Sequence, residues 1–195
     1  MYMKICYIGL MKIMNISPSA FIRYLQATIQ MMLGKQTPEA SFDITEDGLW
    51  QAIFASWIIS AIVSIIPMQA IGWKFYPLFL VTSLVSLLSF VILVYYFLLR
   101  IDKAPLFLRF MLPYLWLSVV QMIFFAGITI ISSATGVVEF SLLSIPALIW
   151  IVYWLIRIAR QQLGVTRFVA FGLLAGKFII ETILGVTAGM SFALS

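Results

Sequence analysis

The chain has 195 residues, of which 64% are hydrophobic and 10% charged, with a net charge of +5. A soluble domain carries about 25% charged and under about 50% apolar residues, so this excess cannot be housed in one core. With one cysteine (Cys6) and no histidine, an internal disulfide and nucleophile–histidine catalysis are excluded, and the usual zinc and haem ligand sets are missing.

Residues 1–16 hold "MYMKICYIGLMKIM", a short apolar stretch interrupted by Lys12. It resembles a weak signal peptide, but Cys6 lacks a lipobox and the "SPSA" that follows has Pro18 inside it. It reads as a dispensable leader, with Met11 and Met14 as alternative starts. Residues 17–34 read as an amphipathic helix. Ser17 suits the N-cap, Pro18 the first helical position and Gly34 the stop. Phe21, Leu25, Ile29 and Met32 recur at helical spacing, and Arg23, Gln26 and Gln30 lie off that stripe. The segment is too short to span a bilayer. It lies on the inner membrane surface or caps the bundle there, and a partner-docking role stays open beside plain capping. Residues 35–49 form an acidic linker. Asp43 and Glu46 have capping-box spacing, and the carboxylates suit the positive pole of the next helix.

From residue 50 to 195 the apolar runs predict an all-α bundle of five transmembrane helices, since a bilayer takes about 20 residues per crossing and offers open backbone no partner. The spans are roughly Trp50–Ile71, Phe75–Leu99, Phe107–Ser132, Val138–Ile158 and Thr166–Leu194, with Pro113 and Pro146 expected to bend their helices. The basic residues fall on alternate connections: Arg100, Lys103 and Arg109, then Arg157, Arg160 and Arg167, with Lys4, Lys12, Arg23 and Lys35 ahead of the first span. The other side has Lys74. This places the N-terminus in the cytoplasm and the C-terminus outside, in a cell (inner) membrane or an endomembrane. Trp73 and Tyr76 mark the outer interface, and Tyr95, Tyr96, Tyr153 and Trp154 the inner one. The positive charge therefore sets orientation, and no nucleic-acid partner is expected.

Lys177 and Glu181 stand out inside the last span. Lys177 lies about 14 Å beyond Phe168 along a helix, near the middle of a core of about 30 Å. A charge there costs about 2.5–3.5 kcal/mol. Four residues apart, the two share a helix face and can pair, which makes each tolerable. Such a pair serves as a relay or binding site for a charged group, or it fixes the helix rotation; both readings stand. Gly172, Gly176, Gly185 and Gly189 form two GxxxG pairs on the same helix, suited to close packing in the bundle or between subunits. Ala52, Ser56, Ser60 and Ser64 make a small-residue stripe on the first span. Gln69 and Gln121, with these serines and the Lys177–Glu181 face, are the candidates for one polar seam. Serines in membrane helices also bond their own backbone. No cofactor or metal site is expected.

The topology, with "EDGLWQAIF" (Glu46 to Phe54) and "RFMLPYLW" (Arg109 to Trp116), resembles the Yip-domain family from about Phe21 onward. Glu46, Asp47, Leu49 and Trp50 are similar to that family's acidic–Leu–aromatic approach to its first span. The Gly-Pro that commonly follows is replaced by Gln51 and Ala52, and the family's Gly-Tyr motif is not evident. The resemblance implies a five-span fold and a non-enzymatic role. The resulting expectation is an organising or accessory subunit that docks a membrane or protein partner, or forms homo-oligomers through the last span. The alternative is a small transporter or substrate-binding subunit using Lys177 and Glu181. An intramembrane enzyme comes third, for want of a catalytic set.

Overall fold

The computed structural model describes residues 17–35, 42–136 and 142–193, except the side chains of 70–71 and 187–193. The leader, residues 1–16, lies outside them. The elements are α1 (Pro18–Met32), α2 (Glu46–Ile71), α3 (Tyr76–Arg100), α4 (Phe107–Thr135), α5 (Ser144–Leu163) and α6 (Arg167–Ala193), with 3-10 turns at Trp73–Phe75 and Ala104–Leu106. There is no strand among the described residues. Four helical stretches are long and apolar enough to cross a membrane: Glu46–Gln69, Trp73–Arg100, Ala104–Thr135 and Arg167–Val186.

The fourth expected span differs. Its helix runs Ser144–Leu163 rather than Val138–Ile158, and residues 137–141 are not described. From Ser144 to Ile156 it is uncharged, about 20 Å of helix, but Arg157, Arg160, Gln161 and Gln162 occupy its last turns. Its described length thus falls short of the four others in apolar reach. Pro146 sits in the first turn, where its missing N–H has no helical partner to lose, so no bend is needed there. Pro113, in contrast, lies inside α4.

The N-terminal helix has the expected ends. Ser17 Oγ accepts from the Ala20 N–H at 3.2 Å. Gly34 takes a positive φ of 73° while the Lys35 N–H reaches the Gln30 carbonyl at 2.9 Å, a Schellman stop. Its rotation differs in part from expectation. Met32 is buried and Phe21 and Leu25 pack on the core as the stripe predicts, but the most buried side chains also include Tyr24, Ala27, Thr28 and Met31, and Ile22, Ile29 and Leu33 are exposed. The reason is an aromatic socket: Tyr24 packs 5.0 Å from Trp116 of α4 and 6.0 Å from Phe42. Thr28 can be buried because its hydroxyl donates to the Tyr24 carbonyl at 2.8 Å.

The linker is shorter than its expected 35–49, because α2 begins at Glu46. Its N-cap is Thr45, not Asp43: Thr45 Oγ1 accepts from the Gly48 N–H at 3.1 Å. Gly48 is required, since a Cβ there would collide with the Asp43 carbonyl oxygen. Glu46 and Asp47 lie in the first turn, where the helix dipole favours them.

The core is built around α4. Every residue from Phe110 to Val119 is buried, so this stretch has neighbours on all sides, as an all-round apolar helix requires. α2 supplies Ala52, Ala55 and Ser56 to that contact, all buried, and Ser56 Oγ reaches the Leu115 carbonyl at 3.4 Å. Beyond Val119 the helix becomes partly exposed. The bundle is therefore tight at the end bearing the two basic connections and loose toward the other. At the tight end Lys103 clamps two connections together: its ammonium donates to the carbonyls of Leu163 and of Gly164, the latter at 3.1 Å. A cation at those last carbonyls also suits the negative pole of α5.

Candidate functional site

Where α4 loses its close neighbours, the helices part around a cavity of about 920 Å³. Its polar atoms come from separate elements. Ser56 and Ser60 enter from α2, Tyr114, Ser118 and Gln121 from α4, and Lys177, Glu181 and the backbone of Gly185 from α6. α3 adds Thr82, Ser83 and Ser86, while α5 contributes apolar wall such as Ile151 and Leu155. Helical spacing explains the gathering. On α6, Lys177 and Glu181 continue the face of the buried Ala170, Leu173 and Leu174, so the face that docks the helix turns Lys177 inward and leaves Glu181 at the cavity's more open edge.

Lys177 Nζ lies 3.6 Å from Glu181 Oε1, and the side chains are 23% and 46% exposed. The same ammonium stands over the Tyr114 ring, 5.5 Å from its centroid. Ion pair and ring together hold a cation at this depth. Tyr114 is 1% exposed, and its ring packs against Phe90 at 4.9 Å and Phe110 at 5.5 Å. Its hydroxyl makes no well-formed hydrogen bond among the described protein groups, although the Lys177 ammonium and the Ser118 hydroxyl lie close enough to interact with it. A buried hydroxyl without a partner costs about 1–3 kcal/mol. Most of its neighbours have no such shortfall: Ser118 Oγ donates to the Tyr114 carbonyl at 3.1 Å, Thr82 Oγ1 to Leu78 at 2.8 Å and Ser83 Oγ to Leu80 at 3.0 Å. Among the cavity's polar side chains, Tyr114 is the one whose hydroxyl is both fully buried and without such a bond, and it lies beside an ion pair.

Other expected site residues lie elsewhere. Ser64 is buried and bonds the Ala61 carbonyl of its own helix at 2.7 Å; it does not line the cavity. Neither does Gln69, which is exposed near the far end of α2. The glycines do not mark a close helix crossing within the chain. A Cβ on Gly172 or Gly185 would meet nothing within 4 Å, and one on Gly176 would reach only Leu93 at 3.7 Å. The backbone of α6 is therefore not drawn against a neighbour at these positions. Gly189 lies beyond the residues whose surroundings are described. Tyr114 and the α3 hydroxyls went unnoticed in the sequence, although Thr82, Ser83 and Ser86 recur at helical spacing.

Among the described residues no three His, Cys, Asp or Glu side chains converge as a metal site would require. Fold and site together define, over the described residues, a helical protein of multi-pass membrane type with a largely apolar cavity that gathers a few polar side chains. No family model matches the chain, and no curated protein and no solved structure matches it either.

Proposed function

We propose that this is a non-enzymatic membrane protein that binds a small solute in the cavity, as a substrate-binding subunit or small transporter. The observation that carries this reading is the buried Tyr114 hydroxyl, without a well-formed hydrogen bond, beside the Lys177–Glu181 pair. Buried polar groups are ordinarily paired, and intramembrane charges mark pathways and sites. The fitting solute has a charged, hydrogen-bonding head and an apolar body. A carboxylate would meet Lys177 and Tyr114, an ammonium would meet Glu181, and the apolar remainder would rest on Ile151 and Leu155. Zwitterionic amino acids with apolar side chains are the first probes. Purified protein should bind one of them saturably, and Lys177→Met and Tyr114→Phe should each weaken binding at least tenfold, the scale of a lost charged or neutral hydrogen bond. Absence of saturable binding across the panel would remove this reading.

The five-span arrangement belongs to the same proposal, with α5 as the fourth of the five crossings. The basic end then faces the cytoplasm, supported by Arg100, Lys103, Arg109, Arg157, Arg160 and Arg167 at one end against Lys74 at the other. The membrane is a cell (inner) membrane or an endomembrane. A reporter fused after Ser195 should be active only outside the cytoplasm.

One observation favours a second reading, an accessory subunit that docks a protein partner or another copy through α6. Gly172 is exposed, with open space where its Cβ would be, so another helix can approach it closely. It agrees with the non-enzymatic membrane role that the Yip-domain resemblance implies. Stable co-purification of one partner, lost in Gly172→Leu, would support it.

A further inference from the structure

A second large concavity lies at the basic end, where α5 gives way to α6. Its volume is about 700 Å³, and Tyr153, Arg157, Arg160, Gly164 and Arg167 are among the residues that line it. We propose that this groove binds the phosphate headgroup of an anionic membrane lipid, which the cavity reading does not require.

The electrostatics of the groove are one-sided. Its lining supplies three guanidinium groups and no carboxylate. Guanidinium is planar and grips phosphate through paired donors. Arg157 is already set in place: it stacks over the Trp154 ring at 4.6 Å and donates to Tyr153 Oη at 3.3 Å. Arg160 and Arg167 are exposed and have no acidic partner among the described residues. The positive pole of α6 opens into the same place, since that helix starts at Arg167. The opposing pole, the carbonyl end of α5, would repel an anion. Lys103 occupies it, bonded to the carbonyls of Leu163 and Gly164.

The surroundings choose a lipid over a free anion. Phe168, next to Arg167, is 90% exposed, and Tyr153 is exposed as well. Large apolar side chains so bare are natural where acyl chains cover them. Charge and bare aromatics therefore meet at one point, as headgroup and chain do in a phospholipid. Basic pockets at membrane surfaces have this preference for acidic lipids.

The test uses the full chain in nanodiscs of equal phosphatidylcholine and phosphatidylglycerol, extracted and weighed by native mass spectrometry. Wild type should retain phosphatidylglycerol about tenfold over phosphatidylcholine. Arg160→Gln with Arg167→Gln should bring the ratio near parity, as loss of two basic groups at a membrane surface predicts a change of roughly tenfold or more. Both sites are exposed, so folding should survive, and an unchanged gel-filtration profile checks this. Lys74→Gln, at the opposite end, should leave the ratio unchanged. Parity in wild type, or an equal loss in Lys74→Gln, would overturn the proposal. So would displacement of the lipid by millimolar inorganic phosphate, which would assign the arginines to a free phosphate anion.

Discussion

Replacing Tyr114 with phenylalanine removes one oxygen and leaves the packing in place. The ring keeps Phe90 at 4.9 Å and Phe110 at 5.5 Å, and Lys177 still stands 5.5 Å from its centroid. What disappears is a buried hydroxyl without a well-formed hydrogen bond. Such a group costs about 1–3 kcal/mol, and water in a polar cavity recovers part of that. The solute-free variant should therefore be more stable than wild type by about 1 kcal/mol. For a chain of this length that is a rise of about 2–4 °C in the unfolding midpoint. Intrinsic tryptophan fluorescence of the detergent-purified protein reads it directly. Ser118→Ala is the contrast, because that hydroxyl is satisfied by the Tyr114 carbonyl; its removal should be neutral or mildly destabilising. Adding the bound solute should reverse the order, raising wild type and not Tyr114→Phe. A solute-free variant that melts several degrees below wild type would refute the reasoning, because the hydroxyl would then have a partner worth keeping.

Three further outcomes are expected. Lys177→Met and Glu181→Gln should each destabilise more than the double replacement does. With 3.6 Å between the charges and Glu181 46% exposed, their coupling should be about 1 kcal/mol, below the roughly 4 kcal/mol of bare attraction at an intermediate dielectric. An additive double-mutant cycle would show no pairing. Gly48→Ala should lower the melting midpoint despite alanine's higher helix propensity, by about 1–3 kcal/mol of overpacking against the Asp43 carbonyl; a rise would show that the preceding segment moves aside freely. Lys103→Met should cost about 1–2 kcal/mol by uncapping α5, seen as faster hydrogen exchange in residues 160–166 with α2 unaffected.

Much of the architecture was legible because lipid imposes a length and helices impose a period. The ends of α1 were readable from Ser17, Pro18 and Gly34, which act through their own backbone geometry. Lys177 and Glu181 were conspicuous because charge is rare at that depth. The rotation of α1 was only partly legible, because both Phe21–Leu25–Ile29 and Tyr24–Met31 are apolar, and the outcome depends on Trp116 and Phe42 elsewhere in the chain, with Phe21 and Tyr24 both against Trp116. Nor could α4 be recognised as the central helix. In a bilayer the lipid-facing and buried surfaces are equally apolar, so Phe110 to Val119 looks like any other span. Tyr114 was hidden for the same reason: its significance lies in a missing hydrogen bond, which no pattern along one chain records. The cap at α2 was misread because Asp43 and Thr45 both have capping chemistry, and the backbone extends through Thr45.

The tight packing of α4 has an electrical consequence. A bilayer's voltage drops where the dielectric is low, and water entering the cavity would take part of the path out of that drop. The cavity reaches α4 as deep as Tyr114, so the drop would then be compressed into the closely packed remainder of the bundle rather than spread over the roughly 30 Å of the hydrocarbon layer. Lys177 and Glu181 stand at the brink of this compressed field. On the proposed solute-binding reading, a charged solute would reach them from the loose end at little electrical cost. To pass beyond them it would have to cross the remaining potential at once, up to about 2.3 kcal/mol per elementary charge for each 100 mV.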